Sequence, residues 1–314
     1  RGFMKVLHNG ERNYPGRVVT VDMDILSSAL YFSDKYHIVP PVSHPSYLES
    51  LLDICLREEI RMIIPTTDEE LSLFASKGKL FEKEGIKVLV SSLETVDLCD
   101  DKAKCTNFFI QNGLKVPRSA EVHEKEVLKN MKYPRVIKKK SGGHGSLYQH
   151  VVRDEEEFRF YLRYYQEPFV QEFLPGKEYT IDVLNNFQGR TVSVVPRERI
   201  ETRAGVTDKG RTVKEPRLLE YGQIIAEGLR VVGPCNIQCI LYQGEFYFIE
   251  VNPRFSGGIL LTIEAGADFP LMLVQMLLGE EVRPQIGRFM EDLVVLRHQP
   301  GVFIDSSYRV IRME

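Results

Sequence analysis

The stretch from Phe246 to Gly258 constrains the fold of this chain more than any other. It begins with six residues that are apolar except for Glu250, which predicts a buried strand. Side chains alternate along a strand, so Glu250 and Asn252 are predicted to lie on one face of it. Pro253 ends the strand because it has no N–H to donate to a neighbouring strand.

The polar groups at the end of this strand suit a metal ion and a phosphate. A carboxylate and an amide oxygen are hard ligands of the kind that Mg²⁺ prefers. Arg254 follows them, and a guanidinium binds phosphate oxygens. The alternative is a strand end with solvated polar groups, and from this stretch alone the two interpretations have equal weight.

Length and composition predict a globular protein of about two domains with no nucleic-acid or membrane partner. The chain has 314 residues, of which 43% are hydrophobic and 27% charged. Its net charge of −3, from 41 Lys and Arg against 44 Asp and Glu, lacks the basic excess that nucleic acid requires. No apolar run approaches the roughly 18 residues of a membrane span. Five cysteines without a C-x-x-C pair predict free thiols in a reducing cytoplasm.

The first 98 residues alternate short apolar runs with helical patterns, which predicts a parallel sheet in a doubly wound α/β domain. The chain opens at Arg1-Gly2-Phe3-Met4, so the first strand and glycine turn of such a domain are expected to be missing. Thr66-Thr67-Asp68-Glu69 follows a predicted strand at 60–64, the usual place for a ligand in such sheets. A plain helix N-cap explains these four residues equally well.

Two lysines lie where a phosphate could bind. Lys102 is predicted in the first turn of a helix over 101–112, where the helix dipole disfavours a cation that has no partner. Lys138 ends a predicted strand and precedes the glycine-rich run Ser141–Ser146, whose backbone N–H groups could contact a phosphate. A solvated lysine and a flexible hairpin tip are the respective alternatives. The run is not a Walker A loop, because no Gly-Lys-Ser/Thr ends it.

The segment from Arg197 to Arg211 is basic, has no apolar period and is predicted to be a long loop. Arg197, Arg203, Lys209 and Arg211 are candidates to bind an anionic substrate, since arginine binds a carboxylate through two N–H groups. A solvated basic loop is an equally weighted alternative.

A third metal-ligand candidate, Gln238, depends on the register of a hairpin. Residues 236–242 and 245–251 are predicted to pair around Gln243-Gly244. A three-residue loop places Gln238 opposite Glu250 on the same face, whereas a two-residue turn places it opposite Ile249.

The order of these segments resembles the ATP-grasp superfamily, most closely its carbamoyl-phosphate-synthetase large-subunit type. The segments that carry the resemblance, over about residues 95–285, are Asp101-Lys102, Val136-Ile137-Lys138 with its glycine run, Val170-Gln171-Glu172-Phe173-Leu174-Pro175-Gly176-Lys177-Glu178-Tyr179, Asn236-Ile237-Gln238 and Glu250-Val251-Asn252-Pro253-Arg254. The resemblance implies a chain of mixed α/β and α+β class. A doubly wound pre-ATP-grasp domain over 1–98 would precede a two-lobed ATP-grasp domain over 99–290, with a mobile lid at about 117–170. Strands over 291–314 would pack on the grasp domain.

The resemblance also implies roles for single residues. Lys102 and Lys138 would contact ATP phosphates, backbone groups of the hinge Gln171-Glu172-Phe173 would contact adenine, and Glu178 would bind the ribose hydroxyls. Gln238, Glu250 and Asn252 would hold Mg²⁺ or Mn²⁺. The catalytic candidates are Lys138, Arg254, which would face the transferred phosphate, and Arg197, proposed above for an anionic substrate.

Three departures from the family pattern qualify these roles. Lys139 stands where the family often has proline, and Gln238 is an amide where many members have a second metal carboxylate. The chain also carries one grasp unit, whereas a full carbamoyl-phosphate-synthetase large subunit has two, so complete carbamoyl phosphate synthesis is not expected.

The implied function is a Mg-dependent, ADP-forming ligase that activates a carboxylate as an acyl phosphate for attack by an amine. One alternative is a split synthetase-like half-subunit that phosphorylates bicarbonate or carbamate and requires a partner chain. The other is a non-catalytic ATP sensor, against which the retained Gln238, Glu250 and Asn252 count. The expected partners are small carboxylates and amines, and a homodimer is compatible with them.

Overall fold

The computed structural model describes residues 3–4, 16–142, 149–298 and 301–313. Its strands in chain order are β1 (Val19–Asp22), β2 (Lys35–Ile38), β3 (Met62–Ile63), β4 (Lys87–Val88), β5 (Ser119–Glu121), β6 (Arg135–Lys139), β7 (Gln149–Val152), β8 (Pro168–Glu172), β9 (Lys177–Asn185), β10 (Thr191–Arg203), β11 (Val206–Thr212), β12 (Pro234–Tyr242), β13 (Glu245–Asn252), β14 (Val294–Leu296), β15 (Val302–Ile304) and β16 (Val310–Met313). The α-helices are α1 (Tyr47–Arg57), α2 (Asp68–Lys77), α3 (Lys79–Glu82), α4 (Leu93–Asp100), α5 (Lys102–Gln111), α6 (Lys125–Lys129), α7 (Glu155–Tyr164), α8 (Pro216–Gly228), α9 (Ile259–Glu264) and α10 (Phe269–Leu277). A 3₁₀ helix spans Ser28–Phe32.

The first part of the chain has the predicted α/β character. Strands β1 and β2 pair in parallel, and so do β3 and β4, with helices between the members along the chain. Within the described residues these are two separate parallel pairs. The apolar core of this part contains Tyr47, Phe74 and Phe81. The rings of Tyr47 and Phe74 meet in a T-shaped contact, and those of Phe74 and Phe81 are tilted against each other.

A six-stranded antiparallel sheet, with strand order β13-β12-β9-β10-β11-β14, forms the larger lobe of the remaining chain. Helices α5 and α8 cover one face, where the rings of Phe109 and Phe248 lie 5.5 Å apart. Gly222 of α8 allows this close packing, because a Cβ there would lie 2.7 Å from a methyl group of Val194. Part of the opposite face packs against α10 through Phe269 and Leu273.

A four-stranded antiparallel sheet, with strand order β5-β8-β6-β7, forms the smaller lobe with α6 and α7. Its core contains Ile137 of β6, Val170 of β8 and Phe158 of α7. Lys138 therefore enters the space between the lobes from the smaller sheet, while Glu250 approaches from the larger one.

The prediction of a long loop over 197–211 is wrong, because most of this segment lies in the hairpin of β10 and β11. Its charged residues pair across the strands, with Arg211 Nε 2.7 Å from Glu198 and Lys209 Nζ 2.6 Å from Glu201. Opposite charges that face each other stabilise a sheet as apolar pairs do. The absence of an apolar period therefore did not indicate a loop here.

The C-terminal strands separate into two groups. Strand β14 pairs with β11 at the edge of the six-stranded sheet. Strands β15 and β16 form a hairpin of their own. Among the described residues, the helices are too short or too polar to cross a bilayer.

Candidate active site

The hairpin of β12 and β13 has the register that a metal site at Gln238 requires. Gln238 lies opposite Glu250, as predicted for a longer loop, yet the turn itself has only two residues, Gln243 and Gly244. Both have positive φ, 50° and 81°, as a tight hairpin turn demands. The pairing shifts between Cys239 and Gln238, so Ile249 is an extra residue in a β-bulge. The pairing of Gln238 with Glu250 therefore occurs, but the rule that linked it to a three-residue loop is wrong, because the bulge produces the register.

The bulge also determines which way Glu250 points. Phe246 and Phe248 are buried in the core beneath the sheet, and a strict period of two would place Glu250 with them. The extra residue changes the phase, so Val251 is the next core residue. Glu250 and Asn252 thus lie on the opposite face, in line with a cavity between the lobes.

Glu250 and Asn252 form the part of the site that best fits a hard cation. The Asn252 side-chain N–H₂ donates to Glu250 Oε1 and to Asn236 Oδ1, both at 3.2 Å. Because the nitrogen faces these two acceptors, Asn252 Oδ1 is left to bind a cation beside the Glu250 carboxylate. No group of three or more His, Cys, Asp or Glu that could hold a metal occurs in the described parts of the chain. A cation here would therefore need further oxygen ligands, as phosphates and water supply for Mg²⁺.

Gln238 makes a contact that the sequence did not indicate. Its Oε1 accepts a hydrogen bond of 2.9 Å from Nη1 of Arg199, whose side chain is almost fully buried. Arg199 also lies opposite Glu178 in the pairing of β9 and β10, with Nε 3.6 Å from Glu178 Oε2. Burial lowers the pKa of Arg199 from its ordinary value, but an arginine stays charged in proteins. A guanidinium next to Gln238 repels a cation. Glu250 and Asn252 are therefore better candidates for metal ligands than Gln238.

Lys138 and Lys102 lie at the cavity as buried cations. The Lys138 side chain is only 2% exposed, and its Nζ donates to Gln171 Oε1 at 3.0 Å. Burial lowers the pKa of Lys138 to about 8, although the nearby Glu250 carboxylate acts in the opposite direction. Lys102 is 8% exposed and begins α5, as predicted. Two buried ammonium groups that line a cavity suit an anionic ligand.

Arg197 is held in a buried ion pair. Its Nε and Nη2 donate to the two oxygens of Asp182 at 2.6 and 3.2 Å, and Nη1 and Nη2 also reach the hydroxyls of Thr207 and Ser256. The residue is 1% exposed. Most of its donors thus contact the protein itself, which favours a structural role over direct binding of a substrate.

Arg254 is the arginine at the end of β13, and it contacts the first part of the chain. Its Nε donates to Asp68 Oδ1 at 2.8 Å and its Nη2 to Asp68 Oδ2 at 2.6 Å, while Nη1 donates to the carbonyl of Phe255. Asp68 is the first residue of α2. The segment 66–69 also caps this helix, because Glu70 accepts from the N–H groups of Thr66 and Thr67. Both interpretations of that segment, a helix cap and a ligand-site edge, are compatible with this geometry.

A cavity of about 560 Å³ between the two sheets brings most of the predicted residues together. The predicted residues that line it are Lys102, Lys138, Glu178, Arg197, Gln238, Glu250, Asn252 and Arg254. A second cavity of about 370 Å³ shares Lys102, Glu250 and Asn252 with it and extends towards Asp68 and Asp100. The hinge candidates Gln171, Glu172 and Phe173 lie at the end of β8 and just after it, outside the lining of both cavities.

The glycine-rich run lies partly outside the described residues, since 143–148 are not described. Its start is held against α4, because the Asp100 carboxylate accepts from the Gly142 N–H at 2.9 and 3.1 Å. Lys102 N–H also donates to the Lys140 carbonyl at 3.0 Å. The start of the run therefore lies beside Lys102 and lines the second cavity.

Comparison with known proteins identifies the fold family. The family model described as "ATP-grasp in the biosynthetic pathway with Ter operon" matches residues 165–299, and the model "PylC-like, N-terminal domain" matches residues 3–89. Both matches support the predicted resemblance to the ATP-grasp superfamily, the first of them over residues 165–299. This confirms the predicted family and the order of its two parts, a pre-ATP-grasp domain followed by a two-lobed grasp domain.

Curated relatives of the chain include two carbamoyl phosphate synthase large chains. That of Thermoplasma volcanium is 27% identical over 244 residues, which is 70% of this chain and 23% of the relative. That of Clostridium beijerinckii is 23% identical over 289 residues, 85% of this chain and 26% of the relative. The chain thus spans about a quarter of the length of these relatives, in agreement with a single grasp unit.

Solved structures share the fold at lower sequence identity. The biotin carboxylase of Campylobacter jejuni, in complex with β-γ-ATP, has a TM-score of 0.73 at 16% identity, over 93% of this chain and 71% of that one. N5-carboxyaminoimidazole synthetase from Staphylococcus aureus, complexed with ADP, has a TM-score of 0.71 at 16% identity, over 96% and 79%. At this identity the likeness extends to the ATP-grasp fold alone.

Proposed function

We propose that this chain is a Mg-dependent, ADP-forming ligase that activates a carboxylate as an acyl phosphate for attack by an amine. The observation that carries the proposal is the cavity between the two sheets, which is lined by Lys102, Lys138 and Arg254 as well as by Glu250 and Asn252. Basic side chains can bind the phosphates of a nucleoside triphosphate, and the oxygens of Glu250 and Asn252 can bind its metal ion. The ATP-grasp relatives that contain ADP or an ATP analogue support this choice of ligand.

The residues of the cavity divide into groups with separate tasks. Glu250 and Asn252 would hold Mg²⁺ or Mn²⁺, with Gln238 as a weaker candidate because Arg199 shares its oxygen. Lys102 and Lys138 would contact the phosphates, and Glu178 would bind the ribose at the exposed end of β9. The bound metal would neutralise charge on the transferred phosphate, and the residues of the chain would orient the two reactants.

The reaction consists of two displacements. An oxygen of the carboxylate attacks the γ-phosphorus of ATP, the bond to the β–γ bridging oxygen breaks, and ADP leaves. The amine nitrogen then attacks the acyl carbon, inorganic phosphate leaves, and the nitrogen loses a proton. An acyl phosphate hydrolyses in water, so a lid that excludes water would protect it. We assign that lid to residues 117–170, which include most of the four-stranded sheet. We assign the two flanking units to 1–98 and 291–314.

A screen of acids and amines tests the proposal. ADP release from Mg-ATP would be followed with a panel of small carboxylates, each with and without a panel of amines. At least one pair is expected to increase ADP release by about tenfold or more over the rate without substrates. Tight ATP binding with no stimulation by any pair would instead favour an ATP sensor.

The carbamoyl phosphate synthase relatives favour a second candidate function, in which the chain phosphorylates bicarbonate or carbamate. Because the chain spans about a quarter of those relatives, this function would require a partner chain. Stimulation by bicarbonate with ammonia, and by no organic acid, would support it. For either function we propose a cytoplasmic protein, with free thiols, that is compatible with a homodimer.

A further inference from the structure

Arg254 is held from two sides by groups that the predicted site did not include. On one side Asn236 Nδ2 donates to the carbonyl oxygens of Asn252 and Arg254 at 3.4 and 3.3 Å. Arg254 N–H also donates to the Asn252 carbonyl at 2.9 Å, which closes the backbone into a tight turn around Pro253. The backbone that carries the guanidinium is therefore fixed by its own lobe.

On the other side Asp68 holds the guanidinium itself. The contact is two-pronged, through Nε and Nη2, and joins residues that are 186 positions apart in the chain. Both side chains are largely buried, with 18% of Arg254 and 11% of Asp68 exposed. A planar guanidinium that meets a carboxylate in this way has its plane and direction fixed.

The contacts leave part of the guanidinium available. Arginine has five N–H donors, and Asp68 and the Phe255 carbonyl take three of them, one each on Nε, Nη2 and Nη1. In the described parts of the chain, the second N–H on Nη1 and the second on Nη2 have no partner. Arg254 lines the cavity together with Glu250 and Asn252, where such donors can reach an anionic oxygen.

We infer that Asp68 is a positioning residue of the phosphoryl-transfer site, which acts by aiming the two remaining N–H groups of Arg254 at the terminal phosphate of ATP. This inference rests on the proposed function, because it assumes that the γ-phosphate binds beside Glu250. Asp68 would then contribute to the reaction from the pre-ATP-grasp part of the chain, without contacting the metal or ATP. An ordinary helix-capping role for Asp68 would not require the two-pronged contact.

Binding of two nucleotides to five forms of the full chain tests this inference. Calorimetric dissociation constants for ADP and for the non-hydrolysable analogue AMPPNP, both with Mg²⁺, give the preference of each form for a γ-phosphate. Asp68→Asn is expected to reduce this preference about tenfold while ADP binding stays within about twofold. Glu82→Gln removes one negative charge at an exposed position of the same part of the chain, outside the lining of both cavities, and should leave the preference unchanged.

A double-mutant cycle with Arg254→Ala shows whether Asp68 acts through the arginine. In the Arg254→Ala background, Asp68→Asn is expected to have no further effect on the preference for AMPPNP. An equal loss of ADP and AMPPNP affinity in Asp68→Asn, or an unchanged preference, would overturn the inference while leaving the proposed function intact. A wild-type chain that binds AMPPNP no better than ADP would overturn this inference alone, and one that binds neither nucleotide would overturn the proposed function as well.

Discussion

Gln238 and Glu250 lie opposite each other in the hairpin of β12 and β13 because Ile249 is an extra residue in β13. Bulges change the direction of side chains in a strand and occur often beside active sites. Here the bulge moves Glu250 from the face of Phe246 and Phe248 to the face that lines the cavity. The proposed metal site therefore depends on one inserted residue in an otherwise regular hairpin.

Glu250→Gln is expected to abolish Mg-dependent ATP turnover, with a loss of about a hundredfold or more. The amide keeps the size of the side chain but removes the charge that a divalent cation requires. ADP release under saturating substrates, with circular dichroism as a check on folding, measures the effect. Glu245→Gln is a matched control, because Glu245 begins the same strand and pairs with Lys115 at the surface. Turnover that is unchanged in Glu250→Gln would remove Glu250 from the metal site.

Lys138→Met is expected to weaken ATP binding and to remove its dependence on pH. The wild-type lysine has its pKa lowered to about 8 by burial, so it loses its charge as the pH rises above that value. The ATP dissociation constant of the wild type should therefore increase above about pH 8, by at most tenfold per pH unit. Calorimetry between pH 6.5 and 9.5 measures both proteins. An identical pH slope in Lys138→Met would show that another group is responsible.

The lowered pKa of Lys138 also predicts how the free energy of unfolding changes with pH. Its pKa is about 8 in the folded chain, against an ordinary value of 10.5, so the unfolded chain binds the proton more strongly between these two values. The free energy of unfolding should then rise with pH across this window. Urea titrations at pH 8 and pH 10 should show a smaller rise for Lys138→Met than for the wild type. An equal rise in the two proteins would contradict the assignment.

Arg197→Met is expected to destabilise the fold by about 3–5 kcal/mol, because it leaves Asp182 buried without its partner. Replacing both residues, as Arg197→Met with Asp182→Leu, should recover much of that loss. The free energy of unfolding in urea gives the values, and Lys209→Met, which removes an exposed ion pair with Glu201, should change it little. An Arg197→Met chain that is as stable as the wild type but inactive would instead support the prediction that Arg197 binds the substrate.

Much of the site could be predicted because its residues lie at the ends of regular elements. The run before Glu250 indicates a buried strand, Lys138 ends a short strand, and Lys102 stands in the first turn of a helix. Such local patterns depend on neighbours within a few residues, and a single sequence contains them. The order of these patterns along the chain then indicated the ATP-grasp superfamily.

The remaining features depend on contacts between distant segments. Arg199 faces Gln238 only once 197–203 is a strand, and the ion pairs that stabilise this strand give no apolar period. The contact of Arg254 with Asp68 joins residues that are 186 positions apart, so no local sequence pattern could indicate it. The bulge at Ile249 likewise follows from pairing and not from turn length, since the turn has two residues.

The most direct measurement of the central claim is capture of the acyl phosphate with hydroxylamine, which replaces the unknown amine. The full chain would be incubated with Mg-ATP, hydroxylamine and each acid of the carboxylate panel. The nitrogen of hydroxylamine attacks the acyl carbon, phosphate leaves, and the hydroxamate that forms is quantified as its coloured ferric complex. We predict that at least one acid yields a hydroxamate in equal amount to ADP, and that Glu250→Gln abolishes both products. Tight AMPPNP binding without hydroxamate or stimulated ADP release for any acid would contradict the account.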